Sequence, residues 1–444
     1  MEVTEPQGLR ERRRARTFES ILGGAREVFL ERGYDATSLL DIARRADISA
    51  GTVRNYFGNK DAVFAALIDA EQKLLIERLA TAAGELKALE ETVSAVFAAA
   101  FERFREAPEI YSMAQRNMPA VRRALDFEPL RGFVDETLRR PDKFNHGIGE
   151  QLPNGAALAD IFATLTLELG HVMLNRPAEK DQVVVDFLAG LATGAIIRMR
   201  AEGAAADAGA ELAAKVEAER DARGTEQGEE PQGLRERQKA DTRAAILQAA
   251  RDSFAEAGFT ATGMREIAAR ADVAPATIYN YFDDKEAIFC VLADEYFGLF
   301  GEQMRSCRAR TRDLEEEIGA QFRIAYKMTA ENPVLFELML RNLWEVRQMM
   351  PELASLSQFA LEMAGDSQLM VEQKILPPLD VELFTLTIVS MGFEVGRLAV
   401  GFKPPDFAFA TKFATDFFTG GILFIGGRDP TKAVELSPEP LQRG

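Results

Sequence analysis

The 444-residue chain has few residues of the types that build disulfide frameworks and metal centres. It contains two cysteines, Cys290 and Cys307, and two histidines, His146 and His171. Two cysteines exclude a disulfide scaffold and are typical of a protein kept in a reducing cytoplasm. So few cysteines and histidines also argue against a zinc finger or a histidine-rich metal site. We therefore expect no metal and no cofactor.

Long uninterrupted apolar stretches are also lacking. No window reaches the roughly 18 consecutive apolar residues that a membrane span needs, and the amino terminus MEVTEPQGLRERRR has no apolar signal core. The chain also has no glycine-rich phosphate loop, nucleophile elbow or metal-ligand cluster, so an enzyme hypothesis has no motif behind it. We predict a cytoplasmic protein that is neither an enzyme nor membrane-bound.

What the chain does contain is a long internal repeat. PQGLRER at residues 6–12 returns at residues 231–237, and the same 225-residue offset aligns Phe29 with Phe254 and Lys60 with Lys285. About half of residues 6–70 are identical to their counterparts without a gap. The period is far too long for a solenoid and indicates the duplication of a whole protein.

Each repeat contains the pattern of a helix–turn–helix. In the first, an apolar-faced helix over residues 17–32 ends at Gly33, a second helix follows with Thr37 as a candidate N-cap, and Ser49 opens a third. A recognition helix needs short or hydrogen-bonding side chains outside and an apolar face inside. The lysine that opens the next helix suits a phosphate contact. The predicted DNA-binding residues of the first repeat are Arg12, Arg13, Thr37, Ser49, Gly51, Thr52, Arg54, Asn55, Tyr56 and Lys60.

The second repeat differs at specific positions. Ala274 replaces the capping serine, Tyr279 stands at the position of Arg54, and Asp283 and Asp284 precede the lysine. Its predicted DNA-binding residues are Thr262, Pro275, Ala276, Thr277, Tyr279, Asn280, Tyr281 and Lys285.

The two predicted DNA-binding domains, called the heads below, differ in net charge. The chain carries a net charge of −17, but residues 8–61 hold 11 Lys/Arg against 8 Asp/Glu, whereas residues 233–286 hold 8 against 9. The acidic excess therefore lies mostly outside the heads, where it discourages non-specific DNA binding. The basic run from Arg10 to Arg14, near the amino terminus, is interpreted either as a solvated disordered tail or as an arm that lies on DNA.

These motifs resemble the amino-terminal signature of the tetracycline-repressor (TetR) family. Residues 254–289 match it almost throughout, and residues 29–64 match except at Arg54, where the family usually has tyrosine. The resemblance implies an all-α fold: in each unit a three-helix DNA-binding domain precedes a helical domain that binds a small ligand and pairs through its last two helices. Two units in one chain imply an intramolecular pseudo-dimer, and leave open whether two chains pair further.

The part of each repeat that follows its head, called its body below, is predicted to be helical. Residues 124–154 are predicted to be rich in loops. Aromatic and methionine residues on these helices suit either an ordinary core or an adaptable apolar pocket. The candidate ligand-binding residues are Phe101, Phe104, Met113, Phe322, Tyr326, Phe336, Met339, Leu343 and Trp344. The predicted domains are residues 1–61 and 231–286 for DNA binding, 62–200 and 287–427 for ligand binding and dimerisation, 201–230 as a linker, and 428–444 as a tail.

The leading hypothesis is a ligand-responsive regulator, a repressor, that reads an imperfect palindrome with two recognition helices from one chain. Its partners would be an operator in double-stranded DNA and a small apolar effector. The alternative is an interaction or sensor protein whose second head no longer binds DNA, which the acidic residues before Lys285 favour.

Overall fold

A computed structural model describes most of the chain. The structure does not describe residues 1–8, 35, 85–87, 117–127, 140–156, 159, 163–165, 167–169, 171–175, 202–207, 225–232, 260, 312, 334, 337–353, 379–380, 402–405 and 433–444. The elements of the described part are helices, which confirms the all-α prediction.

The first repeat begins with three helices of a helix–turn–helix and continues into longer ones. Its helices are α1 (Leu9–Arg32), α2 (Leu39–Arg45), α3 (Ala50–Phe57), α4 (Lys60–Ala83), α5 (Leu89–Glu106), α6 (Pro108–Arg116), α7 (Glu128–Arg139) and α8 (Asp181–Arg200). The described residues between 156 and 174 are helical too.

The connecting segment and the second repeat supply the remaining helices. They are α9 (Ala210–Gly224), α10 (Leu234–Ala257), α11 (Met264–Arg270), α12 (Pro275–Ile278), α13 (Lys285–Arg308), α14 (Leu314–Glu331), α15 (Ala354–Glu372), α16 (Val381–Gly401) and α17 (Phe407–Ile425).

The start of the chain differs from one interpretation of the basic tail. Helix α1 begins at Leu9, so Arg12 and Arg13 lie on a helix and not in a disordered arm. Both side chains are exposed there. Arg12 and Arg13 therefore belong to the same helix that carries Ile21 and Phe29 into the core of the head.

The N-cap of α2 also differs from the prediction. Ser38, not Thr37, caps the helix, because the Ser38 hydroxyl accepts a hydrogen bond from the Asp41 backbone and the Asp41 carboxylate accepts one from the Ser38 backbone. This reciprocal pair is a capping box. Thr37 is instead buried, and its hydroxyl donates to the carbonyl of Gly33 at 2.6 Å.

The turn between the second and third helices has the same backbone in both repeats. Asp47 and Asp272 each adopt a φ of 54°, which is a left-handed conformation that aspartate tolerates better than most residues. The residues that follow, Ile48 and Val273, each donate a backbone hydrogen bond of 3.0 Å back into the preceding helix. The duplication has thus kept the turn that sets the angle of the recognition helix.

The segment predicted to be loop-rich and the predicted linker each contain a helix. Residues 128–139 form α7 within the first, and residues 210–224 form α9 within the second. Pro129 occupies the first turn of α7, where the missing amide of proline costs little. Helix α9 buries Leu212, Ala213 and Val216.

The chain divides into two compact units, residues 1–189 and residues 190–444. The division falls inside α8, so it does not coincide with the predicted domain boundary at residue 200. The second unit therefore contains the last half of α8 and all of α9 together with the second repeat.

Among the described residues, three helices are long and apolar enough to cross a membrane by length and composition alone. They span residues 181–200, 383–400 and 407–425, and half or more of each window is buried inside the protein. The burial has a local cause in the second unit, where α17 packs against α14 and α16. The apolar surface of α17 is accordingly covered by protein.

Candidate DNA-binding surface and effector cavity

The recognition helix α3 is fixed on one side and exposed on the other. Val53 is fully buried, and the Ser49 hydroxyl accepts a hydrogen bond of 3.0 Å from the Thr52 amide, which caps the helix. Gly51, Arg54 and Asn55 are exposed, whereas Thr52 and Tyr56 are half-buried. The helix therefore presents short and hydrogen-bonding groups outward, as readout in the major groove requires.

The equivalent helix of the second repeat is shorter. Helix α12 spans four residues and Ala274 offers no side-chain capping bond, although Pro275 stands at its first position. Tyr279, 54% exposed, lies in the turn that follows together with exposed Asn280 and half-buried Tyr281. Pro275 and Ala276 are exposed and Thr277 is half-buried, so this surface resembles the first in outline but has lost one turn of helix.

The two lysines predicted to contact phosphate have the same surroundings. Lys60 Nζ donates to the carbonyl of Tyr34 at 2.8 Å and lies 4.3 Å from the centre of the Tyr34 ring. Lys285 Nζ donates to the carbonyl of Phe259 at 2.8 Å and lies 4.7 Å from the centre of that ring. Each lysine ties the loop after the first helix to the start of the long helix, a contact that sequence reasoning missed. Their phosphate contact stays a prediction.

The two threonines predicted to bind DNA do not lie on the exposed face. Thr37 and Thr262 are 3% and 2% exposed, and the hydroxyl of each donates to the carbonyl of the glycine that ends the preceding helix. Both side chains are therefore part of the internal structure of the heads.

A repeated ion pair braces the first two helices of each head. Arg45 contacts Glu31 at 2.6 Å, and Arg270 contacts Glu256 at the same offset in the second repeat. The hydrogen bond from the arginine lowers the pKa of each glutamate. The 225-residue offset could have revealed this pair from the sequence, since both the arginine and the glutamate are repeated.

The acidic residue before Lys285 has a structural role. Asp284 is the N-cap of α13, where its carboxylate accepts a hydrogen bond of 2.7 Å from the Ala287 amide. Asn59 does the same for α4, where its side-chain oxygen lies 2.8 Å from the Ala62 amide. The sequence predicts only that this carboxylate weakens phosphate binding. The structure shows that it also stabilises the helix.

A cavity of about 80 Å³ lies in the body of the second repeat. Three of the predicted ligand residues, Phe322, Tyr326 and Phe336, line it. The others of the second repeat, Met339, Leu343 and Trp344, lie outside the described residues. The lining also includes Tyr296, Phe297, Phe300, Met304, Gln321, Ala325, Thr329, Phe359, Met363, Ile388, Val389 and Gly392.

The candidate ligand residues of the first repeat are core residues among the described part. Phe101 and Phe104 are 2% and 1% exposed, and their rings lie edge to face with centroids 5.9 Å apart. Met113 packs into the core of the head. No group of histidine, cysteine, aspartate or glutamate with the arrangement of a metal site occurs within the described ranges.

The fold and these two surfaces define a protein with two helix–turn–helix heads. The family model for bacterial regulatory proteins of the tetR family matches residues 21–67 and again residues 246–290. The chain therefore contains two tetR-family units in tandem, and it is a DNA-binding transcriptional regulator.

Solved structures with some similarity each cover less than half of the chain. They include the fatty acid degradation regulator FadR from Bacillus halodurans, at 15% identity and a TM-score of 0.34, covering 43% of this chain and 97% of that one. A TetR family regulator from Marinobacter aquaeolei VT8 has 22% identity and a TM-score of 0.35, covering 41% and 97%. FadR from Bacillus subtilis in complex with stearoyl-CoA has 18% identity and a TM-score of 0.32, covering 40% and 97%. At such low scores these likenesses carry no argument about the ligand.

Proposed function

We propose that the protein is a cytoplasmic, ligand-responsive repressor that reads an imperfect palindromic operator with two recognition helices from one chain. The observation that carries the proposal is the presence of two complete heads in a single chain, each with an exposed recognition surface. It acts by binding DNA and an effector, with no catalytic step.

The unequal halves of the operator follow from the unequal heads. Arg54 is exposed on α3, where a guanidinium can donate two hydrogen bonds to guanine. Tyr279, at the corresponding position of the second repeat, presents one hydroxyl and an aromatic ring. Because the two side chains prefer different base edges, the two half-sites would differ in sequence.

Close packing between the last helices of the two repeats supports an intramolecular pseudo-dimer. A Cβ atom built on Gly194 of α8 would lie 2.2 Å from the carbonyl oxygen of Gly420 on α17, and one built on Gly420 would lie 2.5 Å from that of Gly194. Only glycine permits backbones to approach so closely. The final turns of α8 therefore have their partner in the second repeat.

A buried cation reinforces this contact. Arg198, 3% exposed near the end of α8, contacts Glu315 at 2.5 Å and Asp416 at 3.4 Å, and donates to the carbonyl of Pro430 at 2.9 Å. Removing one member of a buried charge cluster leaves the others uncompensated. The cluster therefore favours this pairing of α8 over arrangements that would leave the charges without partners.

The cavity supports a response to ligand, because α13 forms one of its walls. Tyr296, Phe297 and Phe300 line the cavity from the middle of α13, and the same helix begins at Lys285, which follows the recognition surface of the second head along the chain. A ligand that prefers one position of α13 would shift the population of head orientations. The proposed effector response uses this helix.

The test is a salt-titrated gel shift, with an operator obtained by binding-site selection and the mass of the complex measured. One chain should bind one operator, with affinity falling steeply as salt rises. Arg54→Ala and Tyr279→Ala should each cost about 1–3 kcal/mol, and each should relax specificity in a different half-site. Lys73→Ala, an exposed charge change on α4 outside the head, is the control.

A second candidate function is favoured by the shortened α12. If this head no longer reads DNA, the protein would be a regulator or interaction protein with one working head. Tyr279→Ala would then leave DNA affinity and the selected site unchanged, whereas Arg54→Ala would still weaken binding. A perfectly symmetric selected operator would instead contradict the proposed unequal reading.

A further inference from the structure

The cavity beside α13 has a neighbour that extends it. A second cavity of about 60 Å³ shares Gln321, Phe322, Met363 and Ile388 with the first. Met363 lines both cavities, and methionine is flexible enough to adapt to the irregular space between them. Together their volumes approach the roughly 150 Å³ that holds one benzene molecule in an engineered apolar core. The space therefore suits a molecule with a single ring.

One polar group in the wall of the first cavity has no hydrogen-bond partner among the described residues. Tyr326 lines the cavity, and its hydroxyl is buried without a hydrogen bond. A buried polar group without a partner raises the free energy of the folded protein. A ligand that accepts its hydrogen bond removes this penalty and binds more tightly as a result. Burial raises the pKa of Tyr326 well above 10.0, so the hydroxyl stays protonated and can donate.

The other tyrosine of the wall provides a contrast. Tyr296 also lines the cavity, but its hydroxyl shares a hydrogen bond with Thr329. A ligand would have to replace that bond in order to use Tyr296. Of the two tyrosines, Tyr326 is therefore the one whose hydroxyl is available to a ligand.

The charges around the space select against ions. The described residues that line the first cavity include no charged side chain. The second cavity adds Glu317, whose carboxylate already accepts a hydrogen bond of 2.8 Å from Gln321. An anion would lose its hydration and be repelled by this carboxylate. A cation would lose its hydration among the apolar groups of the first cavity, which carry no opposite charge.

We propose that this space binds an uncharged, single-ring, predominantly apolar molecule whose one hydrogen-bond acceptor, such as a ketone oxygen, receives the Tyr326 hydroxyl. This ligand class rests on the proposed effector function and specifies it. The ring would contact Phe322 and Met363, and the acceptor would face α14, which carries Tyr326.

The test compares four probes of similar size by isothermal titration calorimetry: acetophenone, ethylbenzene, benzoate and benzylammonium. Acetophenone should bind most tightly, ethylbenzene about three- to tenfold more weakly because it lacks the acceptor, and the two ions more weakly still. Equal or tighter binding of either ion would overturn the proposal.

Two matched variants connect the binding to the hydroxyl. Tyr326→Phe removes a group without a protein partner, so it should keep the thermal stability of the protein and reduce acetophenone affinity to that of ethylbenzene. Tyr296→Phe should leave the preference for acetophenone over ethylbenzene in place. Loss of the preference in Tyr296→Phe, or its persistence in Tyr326→Phe, would contradict the assigned donor.

The effector role is measured separately by repeating the gel shift at a saturating concentration of each probe. Acetophenone binding that depends on Tyr326 and changes operator affinity supports both proposals. The same binding without an effect on the operator supports the ligand class and overturns its effector role. Operator release by benzoate or benzylammonium, with no acetophenone binding, overturns the ligand class while the effector function stands.

Discussion

Among the described residues, the hydrophobic clusters of the two heads are connected differently to the rest of their repeats. In the described part of the first repeat, the head has its own cluster, from Ile21 to Ile68 with two residues of α6, and a separate small cluster contains Leu79, Ala99 and Ala100. In the second repeat one cluster runs from the head through α13 into the body, and includes Leu212 and Val216 of the connecting helix α9. The comparison shows that similar heads can be supported by differently connected bodies.

The connecting helix is what makes the second core distinctive. Gly209 and Gly319 allow α9 to enter against α14, and Arg323 donates to the carbonyl of Ala208 at 3.0 Å. Lys327 pairs with Glu217 at 2.6 Å on the same side. A segment that joins two repeats has thus become part of the second one.

The largest expected effect comes from truncating a buried side chain of this helix. Leu212 is 4% exposed, so Leu212→Ala should lower the free energy of unfolding of the second unit by about 2–5 kcal/mol through lost burial and the cavity left behind. Glu211→Ala, at an exposed neighbour, should change it by less than about 0.5 kcal/mol. Urea unfolding followed by circular dichroism measures both, and equal small effects would mean that the core ends before α9.

A smaller expected effect is a pH dependence of stability that only the second repeat has at this position. Burial raises the pKa of Cys307 from 9.0 to about 12, while the first repeat has Ala82 at the equivalent position. As pH rises, the thiol ionises in the unfolded protein before it does so in the folded one. The contribution of Cys307 to the free energy of unfolding is therefore complete below about pH 9. It is lost as pH rises toward 12, by up to about 1.4 kcal/mol for each pH unit.

The matched variant is Cys307→Ala, which copies the first repeat. Its free energy of unfolding, measured by urea titration between roughly pH 8 and pH 10, should fall less steeply with pH than that of the parent protein. Parallel curves for the two proteins would show that the thiol does not have the raised pKa.

The smallest expected effect concerns the caps of the recognition helices. Ser49→Ala should destabilise α3 by about 1 kcal/mol, and Ala274→Ser should stabilise α12 by about 0.5–1 kcal/mol. Hydrogen exchange measured by mass spectrometry over the two helices should therefore become faster in the first variant and slower in the second. Unchanged exchange in Ala274→Ser would indicate that the missing cap is not the cause of the shorter helix.

The heads could be predicted from the sequence because their signals are local. Ser49 stands three residues before the amide that it caps, and the repeated turn at Asp47 and Asp272 depends on neighbouring residues. Even there, two adjacent hydroxyl residues made the cap of α2 ambiguous, and only the side-chain geometry separates Ser38 from Thr37.

The parts that could not be predicted depend on distant partners. Lys60 contacts a carbonyl 26 residues earlier in the chain, and Arg198 finds Asp416 on a helix of the other repeat. The alanine-rich composition around Leu212 and Val216 suits a linker or a helix equally well until α13 and α14 supply a surface to cover. The cavity likewise depends on how several helices meet.

The glycine contact between α8 and α17 also constrains how the protein is made. The ribosome delivers the end of α8 roughly two hundred residues before α17, an interval of roughly 10–40 s at ordinary elongation rates. During that time the surface around Gly194 and the Arg198 side chain have yet to meet Gly420 and Asp416. The nascent chain therefore leaves this face of α8 without its partner until α17 has been synthesised, and chaperone protection of that face would be needed most in this interval.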